Sequence, residues 1–236
     1  SSIHLSFCTD KETEQSKNWE LLSRKNLQYH WLNENYNDFD EFLSVLSSRK
    51  RKALKKERRI ALQFGGEISK LEGTDITPDL WDSFWGFYQD TGKRKWGAPY
   101  LTRAFFDIIH DKMQGDILLV LAHRDGKHIA AALNFIGRDT LYGRYWGCSE
   151  DHSCLHYELC YYQAIDYALL KKLKKVEAGA QGEHKLARGY LPTITNSMHW
   201  FLNDDFSGAV EQYLNEEKAI ISDQRNRIVS DGPFKK

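Results

Sequence analysis

The sequence predicts an α/β protein of the α+β kind: a mixed, mostly antiparallel sheet flanked by helices. Three observations carry this reading. Strand signals at 117–122, 129–136 and 141–146 are separated only by tight turns, one of them the hairpin-favouring pair Asp125-Gly126. Helix-start signals precede these strands. The segment 155–173 is apolar on most sides, as a helix buried against such a sheet must be.

Taken in order, residues 1–37 show weak periodicity and read as a loop-rich lead-in with a short strand at 29–32. Asp38 reads as a helix N-cap, with Glu41 completing a capping box. Phe39, Phe42, Leu43 and Leu46 recur at helical spacing, and the basic run 49–59 carries that helix on to about Ile60. A strand follows at 61–71, interrupted by Gly65-Gly66. Thr77-Pro78 opens a helix through Leu80, Trp81, Phe84, Trp85 and Tyr88 that ends at Gly92. Thr102 caps another, through Phe105, Phe106, Ile108 and Ile109, to Gly115. Beyond the three strands and the apolar helix, 175–178 reads as a short strand and 179–189 as glycine-rich irregular chain. A last amphipathic helix starts at Asp204 or Asp205 and runs through Phe206, Val210, Tyr213, Leu214 and Ile220. From Ala61 the order is β-α-α-β-β-β-α-β-α. The expected division is a lead-in, 1–37, and a domain, 38–236, that begins with a basic helix.

Composition narrows the function classes. The 236 residues are 41% hydrophobic, with 7 Trp, 12 Tyr and 12 Phe, enough for a sizeable core. Sixteen Gly and four Pro exclude a collagen-like or low-complexity chain. No apolar run is long enough to span a bilayer, and the N-terminus lacks a basic-then-apolar signal pattern. The expectation is a cytoplasmic protein without a membrane span. Cys8, Cys148, Cys154 and Cys160 show neither the CxxC spacing of zinc sites nor the density of a disulfide scaffold. Even with His152 and His156 among them, they read as reduced thiols, and no metal site is expected. Charge is concentrated: residues 49–59, RKRKALKKERR, hold eight of the 33 basic residues and one of the 33 acidic ones, leaving the remainder acidic by seven.

The element order resembles the GNAT acyltransferase fold, whose sheet splays between its fourth and fifth strands, here 141–146 and 175–178. Several stretches resemble the FemAB-like branch of that superfamily: His30-Trp31, Phe42-Leu43 ahead of the basic run, Lys95-Trp96-Gly97, Tyr142-Gly143-Arg144-Tyr145-Trp146-Gly147, His156-Tyr157-Glu158, and Gly179-Ala180-Gln181-Gly182-Glu183-His184-Lys185 with Arg188-Gly189. The match runs from about Tyr29 to Ile221. Members of this family look longer, an expectation under which this chain is the C-terminal part of one. Better-known relatives attach amino acids from aminoacyl-tRNA to peptidoglycan precursors. The resemblance therefore implies an acyl- or aminoacyltransferase acting on a small-molecule or peptide amine, with tRNA as a partner. The alternatives are an acyl-CoA-dependent N-acetyltransferase and a non-catalytic module binding nucleic acid or cell-wall precursor.

Chemistry selects candidate residues. Amine acylation needs a base for the nucleophile and an acid for the leaving atom. Beyond the strand at 175–178, where ligands bind open sheets, stand Gln181, Glu183, His184, Lys185 and Arg188. Glu183 and His184 are the acid–base candidates, and Gln181, Lys185 and Arg188 the substrate-binding ones; the plain alternative is a hydrogen-bonded polar loop. Glu158 is a further candidate base because it interrupts an apolar helix; its alternative is a salt bridge to Arg144 or Arg188. Lys95, Trp96 and Tyr100 read as a gate or lining of the acceptor site, and the resemblance adds Tyr145. Arg49, Lys52, Lys56 and Arg59 share one helix face suited to a phosphate backbone, the alternative being a solvated surface. An acyl-CoA pyrophosphate would need a glycine-rich loop at Gly147-Cys148-Ser149-Glu150-Asp151-His152-Ser153, which holds one glycine, no Lys or Arg and two adjacent acids. That loop disfavours acyl-CoA as cofactor.

Overall fold

The computed structural model describes residues 1–94, 99–230 and 232–235. The chain forms two compact units, one from Ser1–His30 and Ala180–Gly232, the other from Trp31–Gly179 and the C-terminal residues from Pro233.

In the first unit, β1 (Ser2–Cys8), β2 (Leu22–Leu32, up to His30 in this unit) and β8 (Leu191–Phe201) form an antiparallel sheet with β8 in the middle. The register sets Leu5 against Met198 and Leu22 against His199. α1 (Asp10–Gln15) is held by a complete capping box between Thr9 and Glu12. α8 (Asp204–Ser230) follows β8, buries Leu214, and is tied to β2 by Arg24, whose Nε and Nη2 donate to Glu217 at 2.8 and 2.7 Å. The segment 1–37 thus carries two strands where the sequence suggests mostly loop. Half-burial on both faces of β2 blurs the alternation that identifies a strand. β8 has no counterpart in the sequence reading either, because Pro192 and its polar residues mask the period.

In the second unit, β3 (Glu67–Glu72), β4 (Ile117–Arg124), β5 (Lys127–Ile136) and β6 (Thr140–Cys148) form an antiparallel meander, and β7 (Lys175–Glu177) joins β6 in parallel. Asp125 and Gly126, both at positive φ, make the β4–β5 turn. β4 and β5 are apolar without alternation because both faces are covered. α4 (Pro78–Arg94) and α5 (Arg103–Met113) bury Trp81, Phe84 and Phe106 on the face carrying Leu119, Leu121, Ala131 and Leu133. Each such large side chain contributes about 1.5–3 kcal/mol by leaving water. The opposite face is packed by a helix that begins as α6 (Leu155–Tyr157), passes through a π-helical turn (Glu158–Tyr162) and continues as α7 (Gln163–Leu170).

The predicted continuous helix from Phe39 to about Ile60 is in fact two, α2 (Phe39–Ser44) and α3 (Ser48–Ala61). The break exists because Val45, Leu46 and Ser47 are recruited by the chain's end: Leu46 bridges to Phe234, Ser47 N–H donates to the Pro233 carbonyl, and Lys235 N–H donates to that of Val45. Asp38 caps α2, but Glu41 reaches the amide of Asn37 rather than closing a box on Asp38. The strand predicted at 61–71 starts later, because Gly65 at φ +78° closes the helical segment first.

Candidate functional site

The centre of the second unit's polar chemistry is Glu158, 1% exposed at the start of the π turn. Arg58 of α3 donates to both of its oxygens, Nη2 to Oε1 at 2.9 Å and Nε to Oε2 at 3.2 Å. Gln163 Nε2 donates to Oε1 at 2.8 Å, and Lys70 donates to the Gln163 amide oxygen at 2.9 Å. Arg58 also donates to both oxygens of Asp166, at 2.6 and 3.3 Å, and its guanidinium lies 4.5 Å from the Phe39 ring centroid. The neighbouring Glu57 accepts from the Tyr162 hydroxyl. Burial pushes the Glu158 carboxyl upward, against the pull of Arg58 and Gln163. The salt bridge anticipated from Arg144 or Arg188 is made by Arg58 instead. With both oxygens accepting and the group enclosed, the geometry suits a fixed ion pair better than a base open to substrate. Arg58, Asp166 and Gln163 do not stand out in the sequence, because Arg58 sits inside a run that reads as surface.

A second feature is the edge of β6 beyond its ladder with β7, where no further strand pairing is found among the described residues. β7 pairs with it only at Thr140, Leu141 and Tyr142, while β6 continues to Cys148. Gly143 marks the parting; a Cβ there would come within 3.3 Å of the Glu177 carbonyl oxygen. The Tyr145 hydroxyl pairs with that of Tyr100, which is 77% exposed, and the rings of Tyr88 and Tyr145 meet edge to face at 5.1 Å. Burial, then the Tyr100 hydroxyl, push the Tyr145 phenol far above its ordinary range, so it stays protonated. Trp146 packs 5.1 Å from His156, which packs 5.5 Å from Tyr161. Two predicted substrate-binding residues, Tyr100 and Tyr145, are therefore brought together. Lys95 and Trp96 lie outside the described residues.

After β6, the Ser149 N–H donates to the Ile129 carbonyl at 2.8 Å and the Leu155 N–H to that of His152 at 3.1 Å. Glu150 accepts from Arg124 at 2.8 and 3.1 Å and pairs with His152 at 2.8 Å. His152, then Arg124, hold its carboxyl below the usual range. Gly147 is required by packing, since a Cβ would lie 2.4 Å from the Phe87 carbonyl oxygen of α4. The four cysteines are free thiols, and among the described residues no His/Cys/Asp/Glu cluster is arranged to hold a metal. None of their helices is long and apolar enough to cross a membrane.

The first unit holds Gln181, Glu183, His184, Lys185 and Arg188, the last four on a 3₁₀ turn, Glu183–Arg188. Gly182 has φ +101°, and a Cβ on it would sit 2.4 Å from the His184 ring, so only glycine lets the imidazole fold back there. Gln181 and His184 are exposed, whereas Lys185 and Arg188 are buried. Lys185 Nζ lies 5.9 Å from the Tyr29 ring centroid, and Arg188 Nη1 donates to the His184 carbonyl at 2.6 Å. The side chain of Glu183 lies outside the described ones. In the second unit, Arg49, Lys52, Lys56 and Arg59 of α3 are all exposed.

The model of the FemAB-like family, described by peptidoglycan biosynthesis/recognition, matches residues 1–236. No curated protein matches the chain. Among solved structures the chain is similar to FemX, at 13% identity and a TM-score of 0.57, covering 78% of this chain and 64% of that one. It is similar to the C-terminal domain of an Agrobacterium fabrum protein assigned as a lysylphosphatidylglycerol synthetase, at 10% identity and 0.60, covering 92% and 72%. It also resembles L-PGS from Bacillus licheniformis, at 9% and 0.59, covering 83% and 65%. Identities this low show a shared fold, and the chain spans less than two thirds of the FemX chain. The family match over the whole length decides the relationship: this chain belongs to the FemAB-like family.

Proposed function

We propose that the chain transfers an aminoacyl group to an amine of a peptidoglycan precursor, with aminoacyl-tRNA as donor. The observation that carries the reading is the parting of β6 from β7 beyond Tyr142, which leaves a strand edge bearing the protonated Tyr145 phenol. The acceptor nitrogen attacks the ester carbonyl, a C–N bond forms, and the ester C–O bond to the donor ribose breaks. In this scheme Tyr145, aided by Tyr100, donates a proton to the departing oxygen. The amine's proton passes to water, and Glu183 and His184 are assigned as acid–base candidates of the first unit. Glu158 acts by holding the π turn. Lys95, Trp96, Gln181, Lys185 and Arg188 are assigned to substrate contact, and Arg49, Lys52, Lys56 and Arg59 to the tRNA backbone.

Acyl-CoA is the weaker donor. The Ser149 and Leu155 amides, which a pyrophosphate would need, already donate within the protein. The family's description fits the acceptor class, and the name of the lysylphosphatidylglycerol synthetase relative fits an aminoacyl donor. The test supplies the protein with labelled aminoacyl-tRNA or labelled acetyl-CoA and a precursor peptide carrying a free amine. Transfer from the tRNA alone is expected, with kcat lowered about 10²-fold or more in Tyr145→Phe. Transfer from acetyl-CoA alone, or full activity in Tyr145→Phe, overturns the reading.

A further inference from the structure

We propose, on the reading of Tyr145 as proton donor to the departing ribose oxygen, that Arg144 binds the phosphate of the donor's terminal nucleotide. Arg144 is the extra residue of a β-bulge in β6: Asn134 pairs with Gly143 and Leu133 with Tyr145, which leaves Arg144 opposite no residue of β5. The bulge follows directly on Tyr142, the last residue that β7 pairs. Three residues apart, Tyr142 and Tyr145 would point to opposite faces of an unbroken strand. The extra residue sets both on the α4 side, where their partners Phe135 and Leu133 pack with the core around Trp81 and Phe106. A bulge re-aims side chains, and this one presents a phenol and a guanidinium from the same stretch of edge.

Arg144 is exposed, and its guanidinium lies 5.3 Å from the Tyr142 ring centroid, on the face that the two tyrosines share. Its Nη1 donates to the Gly143 carbonyl at 3.3 Å, and the rest of the planar fork meets no acceptor among the described residues. Burial, then Tyr100, set the Tyr145 phenol high; the charge of Arg144 acts on it in the opposite sense, as a near neighbour does. Arg58, Arg94, Arg103 and Arg124 of the same unit each meet a carboxylate within 2.9 Å, whereas Arg144 meets none among the described residues. Such a cation is complementary to an anion that arrives with the substrate. In an aminoacyl-tRNA the anion nearest the departing oxygen is the phosphate on the other side of the same sugar. A guanidinium beside the group that protonates that oxygen is within reach of it, and its fork takes two phosphate oxygens at once. The acceptor fits Arg144 less well, because its amine arrives as an ammonium that a neighbouring cation repels.

Binding and transfer are measured separately. Adenosine 5′-monophosphate carries the terminal nucleoside with its phosphate, and adenosine lacks only the phosphate. In NMR titrations the wild-type chain should bind the nucleotide about tenfold or more tighter than the nucleoside, and Arg144→Gln should bind the two alike. Arg144→Lys should keep part of the difference, since it keeps the charge and loses the fork. Circular dichroism should be unchanged in both variants. In transfer from labelled aminoacyl-tRNA, Arg144→Gln should raise KM for the tRNA about tenfold or more and leave KM for the precursor peptide in place. The slope of log affinity against log salt for tRNA should become shallower by about 0.7, the share of one single-strand phosphate. A wild type that binds nucleotide and nucleoside alike, or a phosphate preference that survives in Arg144→Gln, overturns the proposal. So does a KM that rises for the precursor instead of the tRNA, which would give Arg144 to an anion of the acceptor. If Arg144→Gln abolishes the phosphate preference while wild type transfers nothing from aminoacyl-tRNA, the phosphate site stands and the aminoacyl-tRNA reading falls. If transfer proceeds with the same KM in Arg144→Gln, that reading stands and the site falls.

Discussion

Arg58 grips Glu158 across 100 residues of sequence, with hydrogen bonds of 2.9 and 3.2 Å to its two oxygens. The residue before Arg58, Glu57, takes the hydroxyl of Tyr162. Two successive residues of α3 thus pin both ends of the π turn Glu158–Tyr162, the kind of irregularity that often marks a functional segment.

Arg58→Ala removes the partner of a buried carboxylate and leaves Asp166 beside it. A loss of about 3–5 kcal/mol is expected, the usual cost of breaking a buried pair from one side. Equilibrium urea unfolding of wild type and variant measures it. A loss below about 1 kcal/mol would mean that Glu158 is neutral in the fold.

Because burial raises the Glu158 carboxyl, its contribution to stability is full below the ordinary carboxyl range and declines as pH rises through the folded value. Glu158→Gln, which mimics the protonated form, should therefore gain on wild type between about pH 4 and pH 7. Thermal unfolding at several pH values should show the gap moving in the variant's favour. Movement in the opposite direction would show that Arg58 dominates over burial.

His199 responds in the reverse sense. Partial burial, then His4 and Arg24, hold its imidazole below the ordinary range, and its Nδ1 lies 2.7 Å from that of His4 across the β1–β8 pair. Its contribution is present above pH 6.5, the ordinary value, and is lost as pH falls through the lower folded value. Wild type should lose stability between about pH 7 and pH 5, and His199→Gln should lose less. Denaturant midpoints across that range decide the matter.

If α3 binds a polyanion, affinity must fall with salt. Four phosphate contacts give a slope of log affinity against log salt near −3 for a single strand, or roughly fiftyfold between 50 and 200 mM. Reversing charge at Lys52, Lys56 and Arg59 should abolish tRNA binding with little change in unfolding midpoint, since all three are exposed. Filter binding at several salt concentrations provides the measurement. A wild-type protein without salt-sensitive binding would reduce the basic face to a solvated surface.

Gly147→Ala should cost about 1–3 kcal/mol, because the added methyl meets the α4 backbone at Phe87 and the sheet-to-helix contact must open. The loss should appear in urea unfolding. Ala substitution at Gly126 is expected to be unfavourable for another reason, a φ of +73° with open space around it.

The three-strand meander was legible because its turns and its doubly buried strands leave strong local patterns, Asp125-Gly126 above all. α4, α5 and the start of α8 were legible from Pro78, Thr102 and Asp204. What escaped depends on distant partners. The break between α2 and α3 is made by residues near Pro233, far away in sequence. β8 needs β1 and β2 beside it before its polar residues make sense as a strand. In the candidate site, Glu158 stood out as an acid on an apolar helix. Arg58 did not, because one inward-facing cation within a run of eight looks like its neighbours.

The three-residue seam between β6 and β7 also has a kinetic consequence. A ladder of three parallel pairs holds less tightly than the long antiparallel ladders of β4 and β5, so in amide exchange Lys175–Glu177 should release deuterium early, ahead of the sheet's centre. The strand edge assigned to substrate begins where this short ladder ends. Any ligand that bridges the parting there steadies a short seam as it binds, and occupancy becomes readable as a slowing of exchange at β7 without any knowledge of the reaction.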